Sequence, residues 1–127
     1  MDAESLIQKA AEAMHYAYVP YSGFHVGAAL LCKDGTVYTG CNIENSAYGP
    51  TNCAERTAIF KAVSEGRREF EAIAVISDSS DFTAPCGVCR QVMAEFCTSE
   101  FQILMCNCKR EYQQVTLGEI LPFAFSL

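Results

Sequence analysis

Three cysteines in two short strings place the tightest demand on how this chain folds. Cys53-Ala54-Glu55 and Pro85-Cys86-Gly87-Val88-Cys89 lie far apart in sequence, and each reads as the beginning of a helix. Cys89 falls one turn after Cys86, on the same helix face. If all three thiols bind one metal, the starts of two helices must meet. Free N–H groups and the positive dipole end at a helix start favour the thiolate, which is the ligand form. Three thiolates fill three positions of a tetrahedral zinc and leave the fourth open, the arrangement of a catalytic rather than a structural zinc. Glu55 lies about 200° around the helix from Cys53, so it is expected to stand beside the ligands without joining them. A carboxylate there can accept a proton from a metal-activated water and pass it on. Its plainer role would be capping, since Asn52 is a candidate N-cap and Asn52-x-x-Glu55 resembles a capping box. Arg56 is expected to donate to a ligand sulfur and offset the negative charge of three thiolates.

The chain has 127 residues, half of them hydrophobic, which suits one packed domain over residues 1–127. No apolar run is long enough to span a bilayer. The first residues carry Asp2 and Glu4 without a basic stretch leading into an apolar block, so a signal peptide is not expected and the cytoplasm is the expected location. The net charge of −6, with only nine Lys and Arg residues, argues against a partner bound through its phosphates. A small neutral substrate fits better than nucleic acid. Eight cysteines would suggest disulfides in an exported chain. Here they read as reduced thiols, with Cys32, Cys41, Cys97 and Cys106 as small buried hydrophobes.

Hydrophobic periodicity predicts a helix from about Glu4 to Tyr18, ended by Pro20, with Leu6, Ile7, Ala10, Ala11, Met14, Ala17 and Tyr18 on its buried face. Phe24–Cys32 reads as a strand that is apolar on both faces and therefore central. Lys33-Asp34-Gly35 turns the chain into a second strand, Thr36–Ile43. A helix follows from Cys53 to a stop at Gly66. A third strand spans Phe70–Ser77, with Glu71 as its polar exception. The next helix runs from Pro85 and Cys86 through Phe96. Phe101–Cys106 and Tyr112–Thr116 read as the last strands, with a short helix near Leu117–Leu121. Only about Asn107–Glu111 separates the last two strands, too little for a parallel crossover, so if adjacent they are antiparallel. A whole helix separates the third and fourth, which permits a parallel pair. The expectation is an α/β fold, a mixed sheet with helices packed on it.

Beyond the metal strings, further motifs stand in order: Tyr18-x-Pro20-Tyr21-Ser22, Phe24-x-Val26-Gly27-Ala28-Ala29, Gly40-Cys41-Asn42-Ile43-Glu44-Asn45, Cys53-Ala54-Glu55-Arg56-Thr57, Pro85-Cys86-Gly87-x-Cys89-Arg90-Gln91, and the ending Leu121-Pro122-x-Ala124-Phe125. In these the chain closely resembles the small zinc-dependent cytidine deaminases, in their homotetrameric three-cysteine form, over nearly its whole length. The resemblance implies a three-layer fold with a five-stranded mixed sheet and helices on both faces. It implies one Zn2+ per subunit on Cys53, Cys86 and Cys89, and hydrolytic deamination of cytidine and 2′-deoxycytidine in pyrimidine salvage. Glu55 would move the protons. Asn42 and Glu44 would hold the ribose, chiefly its 3′-hydroxyl; an amide and a carboxylate two apart on a strand share a face and can grip one hydroxyl from both sides. Phe24 would pack near sugar and base, the Ala54 backbone would meet the pyrimidine carbonyl, and Tyr48 and Phe125 would enter pockets of neighbouring subunits. Read without the family, Asn42 and Glu44 are turn residues, Phe24 is a core aromatic, and Phe125 docks on its own core. Val88 and Ser46 stand where the family often has Ala, and neither change removes a functional group. His15 and His25 match no ligand position.

Three other readings compete. Cys106-x-Cys108 could supply a fourth thiolate and close the metal site as a structural one. A polynucleotide deaminase is opposed by the acidic charge, by the short link between the last strands, and by the Asn42/Glu44 pair. A deaminase of aminonucleoside antibiotics would keep the chemistry, and the same pair favours an ordinary nucleoside over it.

Overall fold

The computed structural model describes residues 1–127. Helix α1 spans Ala3–Met14 and is followed by strands β1 (Val26–Cys32) and β2 (Val37–Cys41), helix α2 (Ala54–Ser64), β3 (Phe70–Ser77), α3 (Gly87–Phe96), β4 (Gln102–Cys106), β5 (Tyr112–Thr116) and a single helical turn, α4 (Leu117–Ile120). The strands form one sheet in the order β2-β1-β3-β4-β5. β1 is antiparallel to both β2 and β3, β3 and β4 are parallel, and β4 and β5 are antiparallel. The mixed sheet and the antiparallel last pair expected from loop lengths are both present.

Every residue of β1 is buried, and in β3 only Glu71 is exposed, as strands covered on both faces require. On one face Leu6, Ile7, Ala10 and Ala11 of α1 pack against Ala29, Leu31, Ala74, Ile76 and Leu104. On the other, α2 and α3 bring Ala58, Ile59, Ala62 and Met93 onto Ala28, Leu30, Ile73, Val75 and Ile103. Two glycines permit the close approach of helices to the sheet. A Cβ at Gly27 would stand 2.1 Å from the Ala10 carbonyl of α1, and one at Gly40 would stand 2.5 Å from the Ala54 carbonyl of α2. No helix is long and apolar enough to cross a membrane.

Strand direction then locates the site. Because β1 opposes both of its neighbours, β2 and β3 run the same way and end at the same sheet edge. Cys41 and Ser77, their last residues, flank the start of β1 at Gly27 and Val26. α2 and α3 both begin beyond that edge, so their first turns converge.

Three boundaries differ from the sequence expectation. The first helix stops at Met14, not Tyr18, because the Tyr18 amide donates to the Asn42 carbonyl (3.0 Å) and the Glu44 amide donates to the Tyr18 carbonyl (2.8 Å). A tertiary bridge claims the groups that a longer helix would use, and Tyr18 is exposed rather than buried. β1 begins at Val26, not Phe24, because the Phe24 amide donates to Ser22 Oγ and its carbonyl accepts from Asn42 Nδ2, so neither joins the sheet. β2 ends at Cys41, so Asn42 and Glu44 follow the strand rather than lie within it.

Candidate active site

Cys53 and Cys86 are the N-caps of α2 and α3, with extended backbone, and neither side chain caps its own helix. The thiols are therefore free to face one another, with Sγ atoms 3.8 Å apart. Cys89, in the first turn of α3, is fully buried, and all three Sγ atoms lie within 4.8 Å of one another. Zinc–sulfur bonds of about 2.3 Å at tetrahedral angles place sulfurs about 3.8 Å apart, so the Cys53–Cys86 spacing fits a zinc held between them. Asn52 is not the N-cap: it bridges to Ile43, and its Nδ2 donates to Thr57 Oγ1 at 3.2 Å. The Asn52-x-x-Glu55 capping box does not form. Glu55 is consequently free of a cap role, and only 4 % of it is exposed.

The electrostatics favour a thiolate at Cys53, the form that binds a cation. A hydrogen bond from Cys89, helped by Arg56 and opposed by burial, pulls the Cys53 thiol down to about 5. Cys89 moves the opposite way, because its proton is shared with the Cys53 thiolate and it is buried. Cys53 is thus the thiol of the cluster that ionises most readily, and binding of a divalent cation releases thiol protons. Arg56 Nη2 donates to Cys53 Sγ at 3.2 Å, the contact expected from its place in the sequence, and its buried Nε–H has no partner in the protein. Burial pushes the Glu55 carboxyl up to about 7.

A cleft of about 450 Å3 opens over this cluster. Its lining brings together Phe24, Asn42, Glu44, Ala54, Glu55 and Tyr48, with Cys53, Cys86 and Arg56 at its base. Phe24 is 42 % exposed and faces the cleft rather than serving as a core aromatic. Asn42 Oδ1 accepts from the Val26 amide (2.9 Å) and its Nδ2 donates to the Phe24 carbonyl (2.8 Å), which fixes the edge on which Phe24 sits. Glu44 accepts from the amides of Tyr21 and Ser22 at 3.0 and 3.1 Å. Ala54 opens α2, where amide groups have no partner within the helix. Phe125 lies outside its own chain's cleft and is 69 % exposed, with its carbonyl accepting from Gln91 Nε2 at 2.9 Å. It does not dock on its own core.

Thr83 and Ala84, from the loop before Cys86, also line the cleft; nothing in their residue types marks them. The Thr83 hydroxyl is held 2.6 Å from that of buried Ser77. Cys106 is buried and Cys108 exposed, and neither belongs to the thiol cluster, so no fourth thiolate closes the site. Cys32 is buried like Cys106, while Cys41 and Cys97 are only partly so. His25 pairs with Asp78 at 2.8 Å instead of joining the cluster. A larger surface depression of about 690 Å3 runs along α1 beside Arg110 and Tyr112. It contains no thiol and no buried carboxyl, and so lacks this chemistry.

An α/β sheet carrying an open three-thiolate metal position and a buried carboxyl defines a mononuclear zinc hydrolase. Residues 1–105 match the family described as the cytidine and deoxycytidylate deaminase zinc-binding region. A cytidine deaminase from Sporosarcina psychrophila is 56 % identical over 126 residues, covering 99 % of this chain and 93 % of that protein. One from Halalkalibacterium halodurans is 56 % identical over 126 residues, covering 99 % of this chain and 96 % of its own length. The crystal structure of cytidine deaminase from Burkholderia pseudomallei superposes with a TM-score of 0.95 at 46 % identity, over 98 % of this chain and all of that one. The chain belongs to the zinc-dependent cytidine and deoxycytidylate deaminase family.

Proposed function

We propose that this protein deaminates cytidine and 2′-deoxycytidine hydrolytically to uridine and 2′-deoxyuridine, with release of ammonia, as a homotetrameric enzyme of pyrimidine salvage in the cytoplasm. The observation that carries the reading is Glu55, buried beside three converging thiols at the base of a cleft. Zinc held by Cys53, Cys86 and Cys89 supplies the Lewis acidity that makes water nucleophilic at neutral pH. Glu55 takes the proton from the attacking water and gives it to pyrimidine N3 as oxygen bonds to C4. It then takes the second proton from that oxygen and delivers it to the exocyclic nitrogen. The C4–N4 bond breaks, ammonia leaves, and the new C4 carbonyl and the N3 proton remain on the uracil ring.

The cleft residues divide the remaining work. The Ala54 amide donates to the pyrimidine carbonyl, and Phe24 packs beside sugar and base. Asn42 keeps one N–H after binding the Phe24 carbonyl, and Glu44 keeps an acceptor position. One hydroxyl can accept from the first and donate to the second, which suits the ribose 3′-hydroxyl. Phe125, outside its own cleft, is an apolar surface that would enter a neighbour's pocket, whereas Tyr48 lines the cleft of its own chain and, at 96 % exposed, leaves a face that a neighbouring subunit would cover in completing the shared pocket.

The test is the loss of cytidine absorbance on adding purified protein, beside Glu55→Gln. The expected result is conversion by the parent and a fall in turnover of about 10²–10⁴-fold in the variant, with one zinc per chain in both. Substantial turnover by Glu55→Gln would overturn the assignment.

A further inference from the structure

We propose that Ser22 is a positioning residue: its hydroxyl orients the Glu44 carboxylate toward the sugar hydroxyl and ties that carboxylate to Phe24. This rests on the reading of Glu44 as a sugar contact.

The inference comes from the hydrogen-bond geometry of the cleft rim. Glu44 Oε1 is anchored by two backbone amides, those of Tyr21 and Ser22. Those two bonds hold one oxygen and leave the carboxylate able to swing about it. Ser22 Oγ donates to the other oxygen, Oε2, and removes that freedom. A carboxylate offers about four acceptor positions. With three taken by the protein, the last is on Oε2, where a ligand hydroxyl would be accepted in a direction set by Ser22. The Ser22 contacts also hold the Glu44 carboxyl below its usual range, which keeps it an acceptor.

The same hydroxyl accepts from the Phe24 amide at 3.0 Å. Gly23 makes this possible with φ of +69°, and no atom lies within 4 Å of where its Cβ would be, so conformation rather than space calls for glycine there. One side-chain oxygen thus links the acidic contact to the aromatic one. Ser22 is itself exposed. The segment remains fastened without it, through Tyr18 on Asn42 and Glu44 and through the Asn42 side chain on Phe24 and Val26. Loss of the hydroxyl is therefore expected to disturb orientation and not folding.

The experiment measures kcat and KM on 2′-deoxycytidine and on 2′,3′-dideoxycytidine, which differ only in the 3′-hydroxyl, for the zinc-loaded parent, Ser22→Ala, Ser22→Thr, Ser22→Val and Glu44→Ala. Ser22→Ala is expected to lose about tenfold in kcat/KM on 2′-deoxycytidine, the weight of one hydrogen bond to a charged group, mostly through KM. On the dideoxynucleoside its loss should stay within about twofold on the same grounds. Thr should restore selectivity and Val should not, although the two have nearly the same shape. Glu44→Ala should show the same selective loss. Equal losses on both nucleosides for Ser22→Ala, or no loss at all, with Glu44→Ala still selective, would overturn the role of Ser22 alone. An unselective Glu44→Ala would overturn the sugar contact and the role of Ser22 with it.

Discussion

Cys53 occupies an N-cap position without capping, and that omission is what frees its sulfur for a metal. Arg56, one turn on, supplies the countercharge at 3.2 Å. A site of three thiolates is electron-rich, and a guanidinium hydrogen bond on one sulfur withdraws part of that charge. Arg56→Gln is expected to lower turnover about tenfold or more, the weight of a charged hydrogen bond, while zinc content by metal analysis stays near one per chain. Unchanged turnover would remove Arg56 from the mechanism.

Among the elements, α2 matters most, because its first turn carries Cys53, Ala54, Glu55 and Arg56 together. Its distance from the sheet is set by Gly40. Gly40→Ala would press a methyl group against the Ala54 carbonyl and the Ala58 amide, at 2.5 and 2.6 Å, and displace the helix end that bears Cys53 and Glu55. Gly27→Ala would do the same to α1, which carries no part of the site. Both should lower stability by roughly 1–3 kcal/mol or more in thermal melts. Only Gly40→Ala should also weaken zinc retention against a chelator. The β1–β2 hairpin gives a pH prediction. Asp34 accepts from the Thr36 amide at 3.0 Å and pairs with Arg67, and these contacts hold its carboxyl below the usual range. A carboxylate lowered by folding stabilises the native state above its unfolded-state pKa, and that contribution disappears as pH falls through the lowered value. Asp34→Asn is therefore expected to melt below the parent at neutral pH, with the gap beginning to close only below the ordinary carboxylate value of about 3.9 and vanishing below the lowered one. A gap that stays constant well below the ordinary carboxylate value of about 3.9 would show that the ionised carboxylate is not what holds the turn.

At the scale of the whole molecule, the exposed aromatics bear on assembly. Phe125 lies outside its own cleft, so its removal should damage a neighbour's site. Co-expressed Phe125→Ala and Glu55→Gln chains should form mixed oligomers more active than either variant alone. In those oligomers an intact Glu55 on one chain can meet an intact Phe125 from another. Activity no greater than that of the parent variants, in oligomers shown by mass to be mixed, would place Phe125 outside the pocket.

The sequence determined by itself the features written into local chemistry. The thiols stand at helix starts, β1 and β3 are apolar on both faces, Lys33-Asp34-Gly35 makes the hairpin turn, and the short Asn107–Glu111 link forces β4 and β5 antiparallel. Distinct motifs in family order pointed to the metal set and Glu55 through the resemblance they carry. Tertiary structure alone decided the rest. Helical periodicity carried α1 on to Tyr18, but a bridge to Ile43 took that residue out of the helix, and no local pattern records a partner so distant in sequence. Asn52 had the chemistry of a cap and was used elsewhere for the same reason. Ser22 lay within a motif, yet its bond to Glu44 depends on a turn at Gly23 and on two segments meeting. The two cysteine strings are joined into one site only because β1 runs against both β2 and β3. That arrangement brings the starts of α2 and α3 to the same sheet edge, and it is a property of strand pairing across the whole chain.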